Sequence, residues 1–92
     1  MTKAKTPRKY KIKANIFSIE NGDIHFDNVK SIRILSKKYN ILIMEDYLPV
    51  IGEVDGSVSI ALEDHTEDFN NIVAYYKHSK NEFELLIKEF KD

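Results

Sequence analysis

Apolar and polar positions alternate strictly at the start of the patterned region. Tyr10, Ile12, Ala14 and Ile16 fall on one side, and Lys11, Lys13 and Asn15 on the other. A period of two predicts a half-buried strand over residues 10–16 with a wet outer face. Asn21-Gly22, between Ile19 and Ile24, is the strongest hairpin signal in the chain, because both residue types tolerate positive φ. Ile24 and Phe26 then face the core across His25, and Asp27-Asn28 predicts a second turn. Residues 29–35 form the next expected strand, with Ile32 and Ile34 inward and Arg33 outward, and residues 36–39 make a basic turn. Two apolar runs, 41–44 and 48–51, flank the acidic step Glu45-Asp46, and a third, 58–61, follows an expected turn at Asp55-Gly56. Short apolar runs broken by turn residues read as buried strands with short connections.

Beyond residue 60 the pattern supports two readings. Phe69, Ile72, Val73 and Tyr76 have helical spacing, as do Phe83, Leu86, Ile87 and Phe90, with Ser79 and Glu82 placed as a capping box. Yet Ile72, Ala74 and Tyr76 alternate, and so do Phe83, Leu85 and Ile87, around a turn at 78–82. The Tyr and Ile-Val pairs favour strand, while the Glu, Lys and Leu near the end favour helix. From the pattern, residues 66–91 are either strands or a helix pair over 66–77 and 79–91.

Composition narrows the class. At 92 residues the chain is one domain, with a basic arm expected to be flexible over residues 1–9 and a folded domain over 10–91. It contains no cysteine, hence no disulfide framework and no thiolate metal site. No apolar run approaches the roughly 18 residues of a membrane span, and the expected location is cytoplasmic. Net charge is −1, but residues 1–40 carry +7 and residues 41–92 carry −8. Such asymmetry orients a molecule on a charged partner, unless the two regions share a surface and cancel.

No catalytic chemistry stands out. The three glycines are dispersed, so there is no phosphate-cradling loop, and His25, His65 and His78 share no metal-ligand spacing. The acidic turn 63–68 lacks the spacing and glycine of a calcium loop. Glu45 and Asp46 are adjacent, and on a strand they would point to opposite faces. No cofactor or metal is expected, and the chain reads as a binding or structural module, not an enzyme by itself.

Residues 39–50, Y-N-I-L-I-M-E-D-Y-L-P-V, followed by Glu53–Gly56, E-V-D-G, resemble the signature of the epsilon subunit of F-type ATP synthases, in its N-terminal β-sandwich domain. That family carries G-E-[IL]-G-I-L-P-G-H-A-P-L, a short strand, then L-K-P-G. Ile41, Ile43, Pro49, Val50 and Gly56 match. Glu45 stands at the family's proline, Asp46 at its glycine and Tyr47 at its histidine. Upstream, residues 11–34 resemble the family's opening K-x-x-I-x-T-P-x-x-x-x-[YF]-x-G-x-V. Downstream, Phe69, Tyr75, Ser79, Asn81, Phe83 and Leu85 fall in register with F-A-V-S-G-G-F-x-E-V-S-N-N-x-V-T-V-L, with Val73-Ala74 in place of the glycine pair. The similarity spans about residues 10–90, and the C-terminal helical hairpin that follows in the family is absent from this sequence.

The resemblance implies an all-β fold, a two-sheet sandwich of about eight to ten short strands, and so decides the tail for strands over the α+β alternative. It implies a non-catalytic central-stalk subunit of an F-type or F-type-like rotary ATPase, docking on a gamma-like shaft subunit, indirectly on alpha- and beta-like ATPase subunits, and on membrane-ring loops. Its place would then be peripheral, at the inner face of the cell membrane. Lys37, Lys38, Glu45, Asp46 and Tyr47 are the candidate partner contacts. Lys37 and Lys38 fall where many relatives carry an acidic turn, which points to a divergent or repurposed motor. Two alternatives stand beside this reading: a stand-alone protein-interaction module, and a nucleic-acid binder using the basic arm. No nucleic acid is expected on the first reading.

Overall fold

The computed structural model describes residues 10–91. The basic arm expected over 1–9 lies outside them. The alternation persists in three dimensions: Ile12, Ala14 and Ile16 are buried while Lys11, Lys13 and Asn15 are not. Seven strands follow in order: β1 (Ile12–Ser18), β2 (Gly22–Val29), β3 (Ser31–Ser36), β4 (Asn40–Ile43), β5 (Val50–Ala61), β6 (Thr66–Ser79) and β7 (Glu82–Phe90). They form one hydrogen-bonded sheet in the order β2-β1-β7-β6-β5-β3-β4, antiparallel throughout except for the parallel pair β1–β7.

The described residues contain no helix, so the helix pair over 66–77 and 79–91 is overturned: these segments are β6 and β7. Burial follows period two. Ile72, Ala74, Tyr76 and His78 are buried on β6, and Phe83, Leu85 and Ile87 on β7. Leu86, which the helical spacing would turn inward, is exposed.

Sixteen apolar residues from all seven strands make one buried cluster, most of them with no exposed surface. A flat sheet with no helix against it would leave that face wet, so the sheet folds over and packs its inner face on itself. The long strands β5 and β6 make the fold possible. Residues 50–56 of β5 pair with 72–78 of β6, and 58–61 with 66–69; the register shifts between Gly56 and Val58. The first half of this ribbon carries β7, β1 and β2, and the second carries β3 and β4. Counted by layer, β5 and β6 each supply two segments.

Local chemistry sets the bends. Asn71, in the β6 bulge, and Asn28, in the bulge opposite Ile12 and Ala14, have φ of 57° and 59°. Asparagine tolerates this left-handed region, and a bulge there bends and twists the strand. Asp27-Asn28 is therefore a bulge inside β2 and not a turn. Likewise Asp55-Gly56 is no turn: both lie within β5. Gly56 is small because β5 passes the Leu35 backbone there, and a Cβ would overlap the Leu35 carbonyl oxygen. The first hairpin has the expected glycine. Gly22 has φ of 74°, the loop is residues 19–21, and the Asn21 N–H donates to Ser18 Oγ at 2.9 Å.

Candidate partner-docking surface

Four neighbouring strands each break their alternation with a pair of consecutive apolar residues: Ile16-Phe17, Val50-Ile51, Tyr75-Tyr76 and Leu85-Leu86. One member of each pair faces the core, so the other must face out. The register aligns the outward members. Phe17 lies beside Leu86, Leu86 beside Tyr75, and Tyr75 beside Glu53; in the next row Glu84 lies beside Lys77 and Lys77 beside Ile51. Leu86 is 50% exposed, Tyr75 46% and Ile51 77%. Together with Phe17 they line an open groove of about 600 Å³. Single exposed apolar residues are ordinary, whereas a contiguous row is the signature of a contact surface. The other layer shows the contrast: the row Arg33, Ser59 and Asp68, which Leu42 ends at the sheet edge, is mostly polar.

Polar groups frame the groove. Lys88 Nζ sits 4.5 Å over the Tyr75 ring and donates to Tyr75 Oη at 3.1 Å, which raises the lysine pKa. Lys77 and Glu84 pair at 3.9 Å. Beneath the groove, Tyr76 turns inward against Phe83, with ring centroids 6.2 Å apart. Tyr76 and Tyr39 hydroxyls meet at 2.9 Å, and the Tyr39 hydroxyl also donates to the Glu53 carbonyl. Burial first, then the bond to Tyr39, raises the Tyr76 pKa.

The five residues singled out from sequence fall into two groups at opposite ends of β4. Lys37 and Lys38 lie in the β3–β4 turn. The Lys37 N–H donates to the Asp55 carbonyl at 3.1 Å, and its Nζ is 3.5 Å from the Asp55 carboxylate. Lys91 donates to the same carboxylate at 2.8 Å, and this bond lowers the Asp55 pKa. Lys38 is exposed.

Glu45, Asp46 and Tyr47 lie in the β4–β5 connection, which crosses from one layer to the other. Glu45 Oε2 accepts the Lys11 N–H at 2.7 Å. Asp46 N–H donates to Asn81 Oδ1 at 2.7 Å, and Asn81 Nδ2 donates back to Asp46 Oδ1 at 3.0 Å. Asp46 has φ of 62°, the left-handed conformation that a glycine would favour at this place. So Glu45 and Asp46 close one end of the sandwich, and Tyr47 and Leu48 are left exposed. Leu48 and Ile51 do not join the core expected of the run 48–51.

The groove residues Phe17, Ile51, Tyr75 and Leu86 were not among the expected contacts. The apolar pairs are the signal that finds them, once the register is known. Among the described residues no group of three His, Asp or Glu side chains could hold a metal ion. His65, between Asp64 at 2.7 Å and Glu67 at 2.8 Å, is a surface ion pair whose pKa both carboxylates raise, Asp64 first.

No protein-family model and no curated protein sequence matches the chain. Among solved structures it is similar to a chain of the Tetrahymena thermophila mitochondrial ATP synthase, in a structure of its central stalk and c-ring. The TM-score is 0.71 at 15% sequence identity, over 94% of this chain and 69% of that chain. The likeness is one of fold.

Proposed function

We propose that the chain is a non-catalytic, epsilon-type stalk subunit of an F-type-like rotary ATPase, docking on a gamma-like shaft through the groove of Phe17, Ile51, Tyr75 and Leu86. The observation that carries this reading is the apolar row on the outer face of a sandwich whose fold is shared with a stalk structure. A rotor part must hold its shaft without slipping. Apolar side chains on paired strands suit that task, because a close-packed sheet resists shear. Lys77, Lys88, Glu53 and Glu84 supply a mixed-charge rim that fixes register more than affinity. The role of the sandwich is mechanical. Lys37, Lys38, Glu45, Asp46 and Tyr47 make two further contact points at the ends of β4. Two lysines at one of them select an acidic or neutral partner below, and a basic ring loop would be repelled.

The test is recovery of the tagged chain from its own cells. The expected result is co-purification of a gamma-like shaft protein with alpha- and beta-like subunits. Leu86→Glu and Tyr75→Glu should each weaken shaft binding by at least about tenfold, as expected for charges placed in a desolvated contact. Both positions are exposed, so the thermal midpoint should hold. Recovery of the wild type alone, or undiminished binding by both variants, would refute the reading.

A further inference from the structure

His78 is fully buried, yet neither ring nitrogen has a hydrogen-bond partner among the described residues. A buried polar group without a partner costs free energy, and a charged one costs far more. The residues opposite it are apolar, Val50 on β5 and Phe83 on β7, whose ring lies 6.2 Å away. The charged side chains next to it in sequence or register on these strands, Lys77, Glu82 and Glu84, occupy exposed positions, as does Lys80 in the turn between β6 and β7. From the β4–β5 connection, Glu45 is bonded to Lys11 and Asp46 to Asn81.

The position of His78 gives it leverage. It stands opposite Val50, the residue to which the β4–β5 connection leads. It is also three residues before Asn81, which ties that connection down. The ties at Glu45 and Asp46 are side-chain hydrogen bonds at the exposed surface, with no strand pairing over residues 44–49. Such a segment opens at far lower cost than paired strands.

We propose that His78 is a proton-operated latch: protonation of its ring opens the connection at 44–49, while the paired strands remain folded. An imidazolium needs acceptors for two N–H groups, and opening this end of the sandwich gives it water. The direction follows from linkage. Burial holds the His78 pKa below its ordinary value, and an opened connection restores it toward about 6.5. The closed form is therefore fully favoured above about pH 6.5 and loses its advantage as pH falls towards the buried value. Tyr47 and Leu48 ride on the moving segment, so partner contacts at this end become pH-dependent.

Hydrogen exchange read by NMR between pH 7.5 and 5 tests the latch, with rates expressed as protection relative to unstructured chain. Protection of the Asp46 and Lys11 amides should fall roughly tenfold per pH unit below about 6.5, the slope of a one-proton linkage. Protection of Ala74 and Leu85 in the core strands should hold. His78→Phe, a ring without a proton to take up, should abolish the pH dependence. The wild-type His78 ring resonance should shift with the same midpoint as the opening, and that of His65, whose pKa its carboxylate partners raise, should not. Constant protection at Asp46, a fall shared equally by the core amides, or a His78 midpoint unrelated to the opening would overturn the proposal. The ring titration needs no variant, so it decides the matter even if His78→Phe does not fold.

Discussion

Gly52 shows how one missing side chain organises its neighbours. A Cβ there would meet Tyr76 Oη at 2.6 Å and Cζ at 2.8 Å. Tyr76 in turn holds Tyr39, which bonds back to the Glu53 carbonyl next to the glycine. The hydroxyl ladder between β5, β6 and the residue before β4 thus depends on a hydrogen at position 52. Gly52→Ala should destabilise the protein by about 1–3 kcal/mol, the usual cost of overpacking, measured by urea unfolding. Gly56→Ala should cost more, because its obstacle is the Leu35 backbone and not a side chain that can turn. Equal midpoints for wild type and both variants would contradict this account.

At the scale of elements, the β6–β7 hairpin is the sharpest case. Ser79 pairs with Glu82, and the two residues between, Lys80 and Asn81, have φ of 52° and 62°. Two consecutive positive φ values define the primed turn that matches the strand twist. Asparagine suits it; lysine does not, since a left-handed residue with a long side chain costs about 1 kcal/mol. Lys80→Asn should raise stability by roughly 0.5–1 kcal/mol without altering the hairpin, read as a higher urea midpoint with unchanged slope. The hairpin was legible as a turn at 78–82, but not as the anchor of residues 44–49. Asn81 bonds across 35 residues of sequence to Asp46, and local pattern carries no record of such a partner. The same limit explains Asp55-Gly56, a good turn dipeptide by composition that lies inside a strand because tertiary packing needs a glycine there.

For the whole molecule, the decisive fact is that β5 and β6 run through both layers, so one core belongs to all seven strands. Truncating that core anywhere should weaken every strand. Phe83→Ala should cost about 3–5 kcal/mol and Ile34→Ala, from the other layer, about 2–5 kcal/mol. Each should give a single unfolding transition at which far-UV circular dichroism and tyrosine fluorescence coincide; two separate transitions would contradict a shared core. At this scale the charge asymmetry is offset in part: among the described residues, Lys11 meets Asp46 at 3.9 Å and Lys37 meets Asp55 at 3.5 Å, so two cations of the first 40 residues lie against carboxylates of the rest. The period-two pattern by itself determined the early strands and their inward residues Ile12, Ile32 and Ile34, while over residues 66–91 it left strand and helix open, and the family resemblance favoured the strands that the structure shows. Period two depends only on which face a side chain takes, and that is local. Only the tertiary structure decided which outward residues meet. Phe17, Leu86, Tyr75 and Ile51 form a groove because strand register places them side by side, and His78 became a buried, unpartnered ring because Val50 and Phe83 fold against it. Register and burial are set by contacts between segments far apart in sequence, whose joint free energy no single segment contains.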